Sequence, residues 1–388
     1  MGSIIQVGDA PGILKAHLNV AELYSRMLGP KMCDELVALV QHMFTEEEAE
    51  VVQHMRPFLP KTAAGLAKAS GRTLEQIKPT LQSLAHEKYI LISAGSGRRE
   101  VFTMLPILPG TFESVLVRKS ADSATEWHRR FAELFEALYR TGYLTDLFKR
   151  PVDAVRYLPV GEVIENEPMA LPSDHLKAVL ERFDKFSIGV CQCRLSKTLI
   201  GEGCGRMLET CTVMGPLAPM LVQQGRMTQA SRKDVLEVKA AAEKDGLITW
   251  MMNAEGGRLG NISCSCCGCC CGALRTISEF NALGFIAPPH FMPELNPALC
   301  NLCGKCVESC QMKALFMIGD DQAKTLVHES ERCIGCGLCA VACPSDVLSM
   351  KPVPDYKEPP GGWLSYTARY GLNYIRNHMR VLSERRRG

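Results

Sequence analysis

The chemistry of this chain sits in its cysteines. Residues 300–310 read Cys300-Asn-Leu-Cys303-Gly-Lys-Cys306-Val-Glu-Ser-Cys310. Residues 333–344 read Cys333-Ile-Gly-Cys336-Gly-Leu-Cys339-Ala-Val-Ala-Cys343-Pro344. The same C-x2-C-x2-C-x3-C spacing thus occurs twice. Three thiolates on one short loop, with a fourth on the segment that leaves it, can hold the corners of an iron–sulfur cube. Gly304, Gly335 and Gly337 let the backbone wrap closely around an inorganic core. The competing reading is a pair of four-cysteine zinc sites, but zinc sites usually join two C-x2-C pairs rather than runs of four.

On these residues the segment resembles the bacterial two-cluster ferredoxin module. The resemblance implies two [4Fe–4S] sites with crossed ligation. One would use Cys300, Cys303, Cys306 and Cys343; the other would use Cys333, Cys336, Cys339 and Cys310. Pro344 fits that family's C-P ending, whereas Gln311 stands where the first copy would carry proline.

A second cysteine field precedes this one. It comprises Cys191 and Cys193, then Cys204 and Cys211, then Cys264, Cys266, Cys267, Cys269, Cys270 and Cys271. Unpaired thiols at that density would oxidise or crowd one another. The expectation is at least one further iron–sulfur cluster held between the 191–211 and 264–271 segments, with Arg194, Arg206 and Lys197 offsetting its negative charge. A zinc knot, a vicinal disulfide switch and partial ligation stay open. Gly201-Glu-Gly203-Cys-Gly205 is no dinucleotide fingerprint, because its spacing is wrong and a cysteine lies inside it. Cys33, alone among apolar residues, reads as a small core side chain.

The elements that must position these residues suggest an α+β chain in four parts. Residues 1–150 would form a helical and winged-helix-like domain, and 151–290 a central cysteine-rich iron–sulfur domain. Residues 291–352 would form the ferredoxin-like domain, and 353–388 a linker and a basic amphipathic tail. Within the first part, Thr45 before Glu46–Glu48 starts a helix. Thr73 with Gln76 resembles a capping box, and a hairpin is expected across 89–104. Residues 106–120 read as a linker and a strand. Residues 121–150 form an amphipathic helix with Trp127, Phe131, Leu134, Phe135, Leu138 and Tyr139 on one side. Arg129, Arg130, Glu133 and Glu136 are assigned to the other side. The helix Leu74–Leu84 is nearly balanced in charge, so protein contact is expected there rather than DNA binding. In the tail, Tyr366, Tyr370, Tyr374, Ile375 and Met379 share helical spacing and end in Arg376, Arg380 and Arg385–Arg387. A docking helix and a simple dipole-capped terminus both fit that pattern.

With 388 residues the chain can hold two or three cores, and a net charge of +2 provides no global field for nucleic acid or membrane. Eighteen of nineteen cysteines follow residue 190 in tight clusters, a pattern of metal binding in a reducing compartment rather than a disulfide scaffold. No basic and apolar leader opens the sequence, and no apolar run is long enough to span a bilayer, so a cytoplasmic location is expected. As a whole the pattern resembles multi-cluster ferredoxin-type proteins of anaerobic bacteria. That resemblance implies electron transfer between redox partner proteins or oxidoreductase subunits, with membrane-surface docking open. The alternatives it leaves are a redox-sensing regulator and a reductase with a substrate-binding cluster.

Overall fold

The computed structural model describes residues 12–27, 30–147, 153–254, 260–282, 286–320, 324–345, 347–360 and scattered positions of 365–383. Helices and antiparallel sheets are both substantial, and the chain is α+β. No helix among the described residues is long and apolar enough to cross a membrane.

Helices Gly12–Arg26, Asp34–Met43 and Glu46–Val52 open the chain and bury Leu18, Tyr24, Leu36, Val40 and Val51 in one core. The third starts at a capping box, in which the Thr45 N–H donates to Glu48 (2.7 Å) and the Glu48 N–H donates to the Thr45 hydroxyl (3.3 Å). Strand β1 (Lys61–Thr62) leads into helices Ala63–Ser70 and Leu74–Gln82, the second again opened by a capping box at Thr73 and Gln76. Strands β2 (Leu91–Ala94) and β3 (Val101–Met104) form the expected hairpin, and β1 pairs with the outer side of β3.

The strand expected near residue 115 is a helix instead, Phe112–Leu116. Its Phe112 ring stacks on Phe135 at 4.0 Å, and the Glu113 carboxylate accepts the Gly110 N–H at 2.6 Å. A partner ring and a capped turn outweigh the β-propensity of Val115 and Val117. The following helix, Glu126–Arg140, carries its aromatic stripe into the core as expected. Glu136, assigned to the solvent side, is only 6% exposed.

A six-stranded antiparallel sheet forms the centre, in the order β4-β8-β9-β6-β5-β7. Its strands are β4 (Val155–Tyr157), β5 (Phe186–Gly189), β6 (Cys211–Met214), β7 (Thr228–Ala230), β8 (Ile248–Met252) and β9 (Asn261–Cys266). Helix Gln192–Leu199 leaves β5 and helix Gly272–Ser278 follows β9. Helix Arg232–Lys244 precedes β8 and ends at Asp245, with Gly246 in the left-handed region (φ 73°).

The last part is closed by pairing distant strands. Strand β10 (Phe291–Leu295) runs antiparallel to β13 (Leu348–Pro352), while β11 (Leu315–Ile318) and β12 (Thr325–His328) form a second ribbon. Of the expected tail, Ile375 and Met379 are exposed helical positions; Tyr366, Tyr370, Tyr374, Arg380 and Arg385–Arg387 lie outside the described residues.

Candidate metal centres

The two cysteine runs of the last part build matching loops. In each, a glycine in the left-handed region caps a short helix: Gly304 (φ 80°) before Lys305–Ser309, and Gly337 (φ 77°) before Leu338–Val341. The third cysteine of each run, Cys306 or Cys339, lies within the first turn. The fourth, Cys310 or Cys343, lies just past the end of the helix. That placement turns the fourth thiol away from its own loop. One cavity is lined by Cys333, Cys336, Cys339 and Cys310, with Ile334, Leu338 and Leu315 around them. A second is lined by Cys300, Cys303, Cys306 and Cys343, with Leu326, Val347 and Leu348. Each cavity therefore gathers three thiols from one run and one from the other.

The surroundings of these cavities suit a thiolate-held inorganic group. Burial pushes the thiols of Cys333 and Cys336 up to about 11 and about 12, so they stay protonated until a cation draws the proton off. The Ala314 N–H donates to Cys310 Sγ at 3.2 Å. Gly335 has no room for a side chain: a Cβ there would lie 2.2 Å from the Phe291 carbonyl oxygen. The loop must pass that close for the Val160 N–H to donate to the Cys336 carbonyl (3.0 Å), which ties this part to the central one.

The central field divides into two sets of thiols. Strand alternation does the sorting: Cys264 and Cys266 share one face of β9, and Cys267 leaves it. Across the sheet, Tyr157 stands opposite Trp250, Trp250 opposite Cys264, and Cys264 neighbours Cys211 on the adjacent strand. Two helix starts deliver the rest. Cys191 and Cys271 are the N-cap residues of helices Gln192–Leu199 and Gly272–Ser278, and the N–H groups of Arg194 and Leu274 turn toward their sulfurs. Cys193 and Cys266 both stand beside Cys271, and the Gly272 N–H donates to Cys193 Sγ at 3.5 Å. Cys191, Cys193, Cys211, Cys264, Cys266 and Cys271 thus form one inner set. Cys204, Cys267, Cys269 and Cys270 form the other, with all four sulfurs within 4.8 Å of one another.

Two buried cations serve the inner set. Arg194, 1% exposed, donates to the carbonyls of Ser265 (2.6 Å) and Met207 (2.8 Å) and to the Thr210 hydroxyl. Lys239, also 1% exposed, donates to the Thr210 carbonyl and the Ser265 hydroxyl, both at 3.2 Å. Neither makes an ion pair with a carboxylate among the described residues; thiols face both, Cys191, Cys266 and Cys267 for Arg194 and Cys264 and Cys211 for Lys239, and Glu243, one turn along the helix, also acts on Lys239. A buried cation is costly unless negative charge stands beside it, and thiolates here would offset that cost. Cys211 responds: its hydrogen bond from Cys264 comes first, with Gln192, Lys239 and Arg194 adding to it, and together they outweigh burial and hold it near 7. The Tyr157 hydroxyl and the Trp250 indole N–H are buried, with Tyr157 set against Cys271. Buried donors beside a thiol set fit a group that offers sulfur acceptors. These residues therefore suit an iron–sulfur cluster.

Of the cations expected from sequence, Arg194 stands at the thiols, whereas Lys197 does not. Its Nζ binds Glu136 (2.8 Å) and Glu202 (2.7 Å). Arg206 lies half-buried beside Gly246. Lys239, Tyr157 and Trp250 had no signal of their own, because each looks like an ordinary helix or strand residue until the sheet register is known. Gln311, the departure from the repeat, has a structural partner. Its side chain accepts the Gly268 N–H (3.0 Å) and donates to the Gly246 carbonyl (2.6 Å), joining the ferredoxin loop to the central thiols.

Residues 299–351 match the family described as the 4Fe-4S dicluster domain. An archaeal glutamate synthase (NADPH) of Archaeoglobus fulgidus is 31% identical over 75 residues, which is 19% of this chain and 14% of that one. The archaeal-type glutamate synthase of Thermotoga maritima is 31% identical over 64 residues, 16% of this chain and 12% of its own length. An uncharacterized ferredoxin of Methanocaldococcus jannaschii is 31% identical over 93 residues, 24% of this chain and 52% of that protein. The chain therefore spans about half of one curated relative and a small fraction of the glutamate synthases. No solved structure matches it. The C-terminal part is a 4Fe-4S dicluster ferredoxin domain, with weak similarity to ferredoxin-like and glutamate synthase iron–sulfur regions.

Proposed function

We propose that this protein relays single electrons between the donor and acceptor subunits of an anaerobic redox complex. Two [4Fe–4S] clusters in the ferredoxin domain and a further cluster in the inner thiol set would supply one-electron chemistry. The observation that carries this reading is the crossed lining of the two adjoining cavities, three thiols from one run and one from the other in each. Residues of this chain would do the remaining work. Leu315, Leu338, Leu326 and Val347 exclude water from the two cavities. The Ala314 N–H and the Tyr157 hydroxyl are placed to donate to sulfur, and Arg194 and Lys239 balance charge at the inner set. The Gln311 bridge holds the two regions together.

The N-terminal half is assigned to protein contact. Helix Glu46–Val52, β1, two helices and the β2–β3 hairpin follow the order of a winged helix. Three of its basic residues are engaged within the fold: Arg72 pairs with Glu47 and Glu50, Lys88 with Glu48, and Lys61 donates to the His54 carbonyl. The helix Leu74–Gln82 carries Glu75 against Lys78, so its surface is nearly balanced in charge and offers no basic stripe for phosphates.

Reductive titration of anaerobically purified protein tests the relay. The reading expects about three one-electron equivalents per chain, in distinguishable paramagnetic signals, and a redox protein co-purifying under nitrogen. Retarded migration of duplex DNA, sensitive to air, would transfer the assignment to a regulator.

A further inference from the structure

We propose that Cys204, Cys267, Cys269 and Cys270 bind one zinc ion, as a structural site separate from every iron–sulfur cluster.

Sulfur spacing carries the argument. Zinc–thiolate bonds are about 2.3 Å and structural zinc is tetrahedral, which puts neighbouring sulfurs about 3.8 Å apart. Cys204 and Cys267 are 3.9 Å apart, and Cys269 and Cys270 are 3.7 Å apart. All four sulfurs lie within 4.8 Å of one another. The ferredoxin cysteines of the same molecule provide the contrast. Thiolates on separate corners of a cube stand farther apart than ligands of one ion, and there each foursome lines an opening rather than closing on a point. No three of those thiols meet the same mutual spacing among the described residues. One fold thus holds two kinds of thiol foursome, one spread around a space and one drawn to a point.

The protein around the four sulfurs is built to bring them together. Gly201 and Gly205, both in the left-handed region, bend the loop that presents Cys204. Gly203 lets that loop lie against Thr198, where a Cβ would come within 2.6 Å of the hydroxyl. The Gly-rich stretch that fails as a dinucleotide fingerprint thereby gains a purpose. Cys267 and Cys270 are buried beside Ala242 and Leu247, at the end of helix Arg232–Lys244, while Cys269 faces solvent. Four protein thiols leave no open coordination position, the hallmark of a structural zinc site. Arg194, whose charge also acts on Cys267, offsets part of the charge of a tetrathiolate.

The location indicates what the ion would do. It would join the 201–205 loop to the 267–270 loop, two segments far apart in sequence. The second of these seats Gly268 against Gln311, next to Cys310; a Cβ on Gly268 would lie 2.3 Å from the Gln311 carbonyl oxygen. The ion would fix the inner thiol set at a constant separation from the ferredoxin cavity that Cys310 lines.

The test is zinc-edge X-ray absorption, with zinc, iron and sulfide analysis, on the full chain purified anaerobically. The expected result is about one zinc per chain, ringed by four sulfurs at about 2.3 Å with no second metal close by. Cys269→Ser, at the exposed ligand, combined with Cys204→Ser, should lower zinc at least about five-fold and leave iron and sulfide unchanged. The wild-type absorption spectrum stands even if the double variant folds poorly. Wild-type protein without zinc, or loss of iron together with sulfide in the variants, overturns the proposal. Because iron and sulfide report the clusters and zinc reports this site, failure here is distinguishable from failure of the relay.

Discussion

Replacing Glu136 with glutamine should unseat the central thiols while sparing the ferredoxin cavities. The Glu136 carboxylate accepts both Arg275 guanidinium nitrogens (2.9 and 2.8 Å), Lys197 Nζ (2.8 Å) and Arg140 Nε (2.8 Å). Arg275 lies on helix Gly272–Ser278 and Lys197 on helix Gln192–Leu199, the two helices that start at Cys271 and Cys191. One carboxylate therefore registers both cysteine-bearing helices against helix Glu126–Arg140. Burial alone would raise its pKa, but Arg275, Lys197 and Arg140 outweigh it and hold the group at about 2. Breaking a buried ion pair from one side costs about 3–5 kcal/mol. Glu279 still holds Arg275 (2.6 Å) and Glu202 still holds Lys197 (2.7 Å), so the cost belongs at the low end, about 3 kcal/mol. Anaerobic thermal unfolding should show an apparent midpoint lower by several degrees, on the order of 5–10 °C. Iron loss on mild heating should begin with the central cluster. The pH response carries a sign as well. A carboxylate depressed from 4.5 to about 2 stabilises the fold above pH 4.5, and that contribution fades as pH falls toward 2. Glu136→Gln should lack that fading. A variant as stable as wild type within about 0.5 kcal/mol, or one losing ferredoxin iron first, would refute the reasoning.

Three more outcomes follow from the same contacts. Cys310→Ser should alter the paramagnetic signal of the site shared with Cys333, Cys336 and Cys339 and leave the Cys300 site intact; the opposite assignment would mean uncrossed ligation. Tyr157→Phe removes a buried donor facing Cys271, so the central cluster's potential should fall by on the order of tens of millivolts, read by a redox titration with optical and paramagnetic detection. His128 is held down to about 4, by burial first and then by Arg118 and His42. Its contribution is present above pH 6.5 and lost as pH falls toward 4, so wild type should lose about 2 kcal/mol more than His128→Gln between pH 7 and 5 in urea unfolding.

The ferredoxin cavities were legible because their ligands are local: three thiols per loop, with spacing set by the loop itself. Helix starts at Thr45 and Thr73 were legible for the same reason, since a cap reads the backbone three residues on. The central site was not legible, because its sorting depends on partners far along the chain. In Cys264–Cys271 the sequence shows six cysteines; only the β9 alternation and the helix start at Cys271 divide them between two sets. Lys239 and Glu136 look like solvent-facing charges on amphipathic helices, and both are buried because opposite charge or thiols wait in another segment. Gln311 read as a lost proline; its role is set by Gly268 and Gly246, dozens of residues away.

Iron and acid-labile sulfide, counted together on freshly isolated, oxygen-protected protein, test the central claim most directly. The account expects about twelve of each per chain: about eight in the ferredoxin domain and about four more in the inner thiol set. A count that stops at about eight would contradict the central cluster, and colourless protein carrying neither would contradict the electron relay.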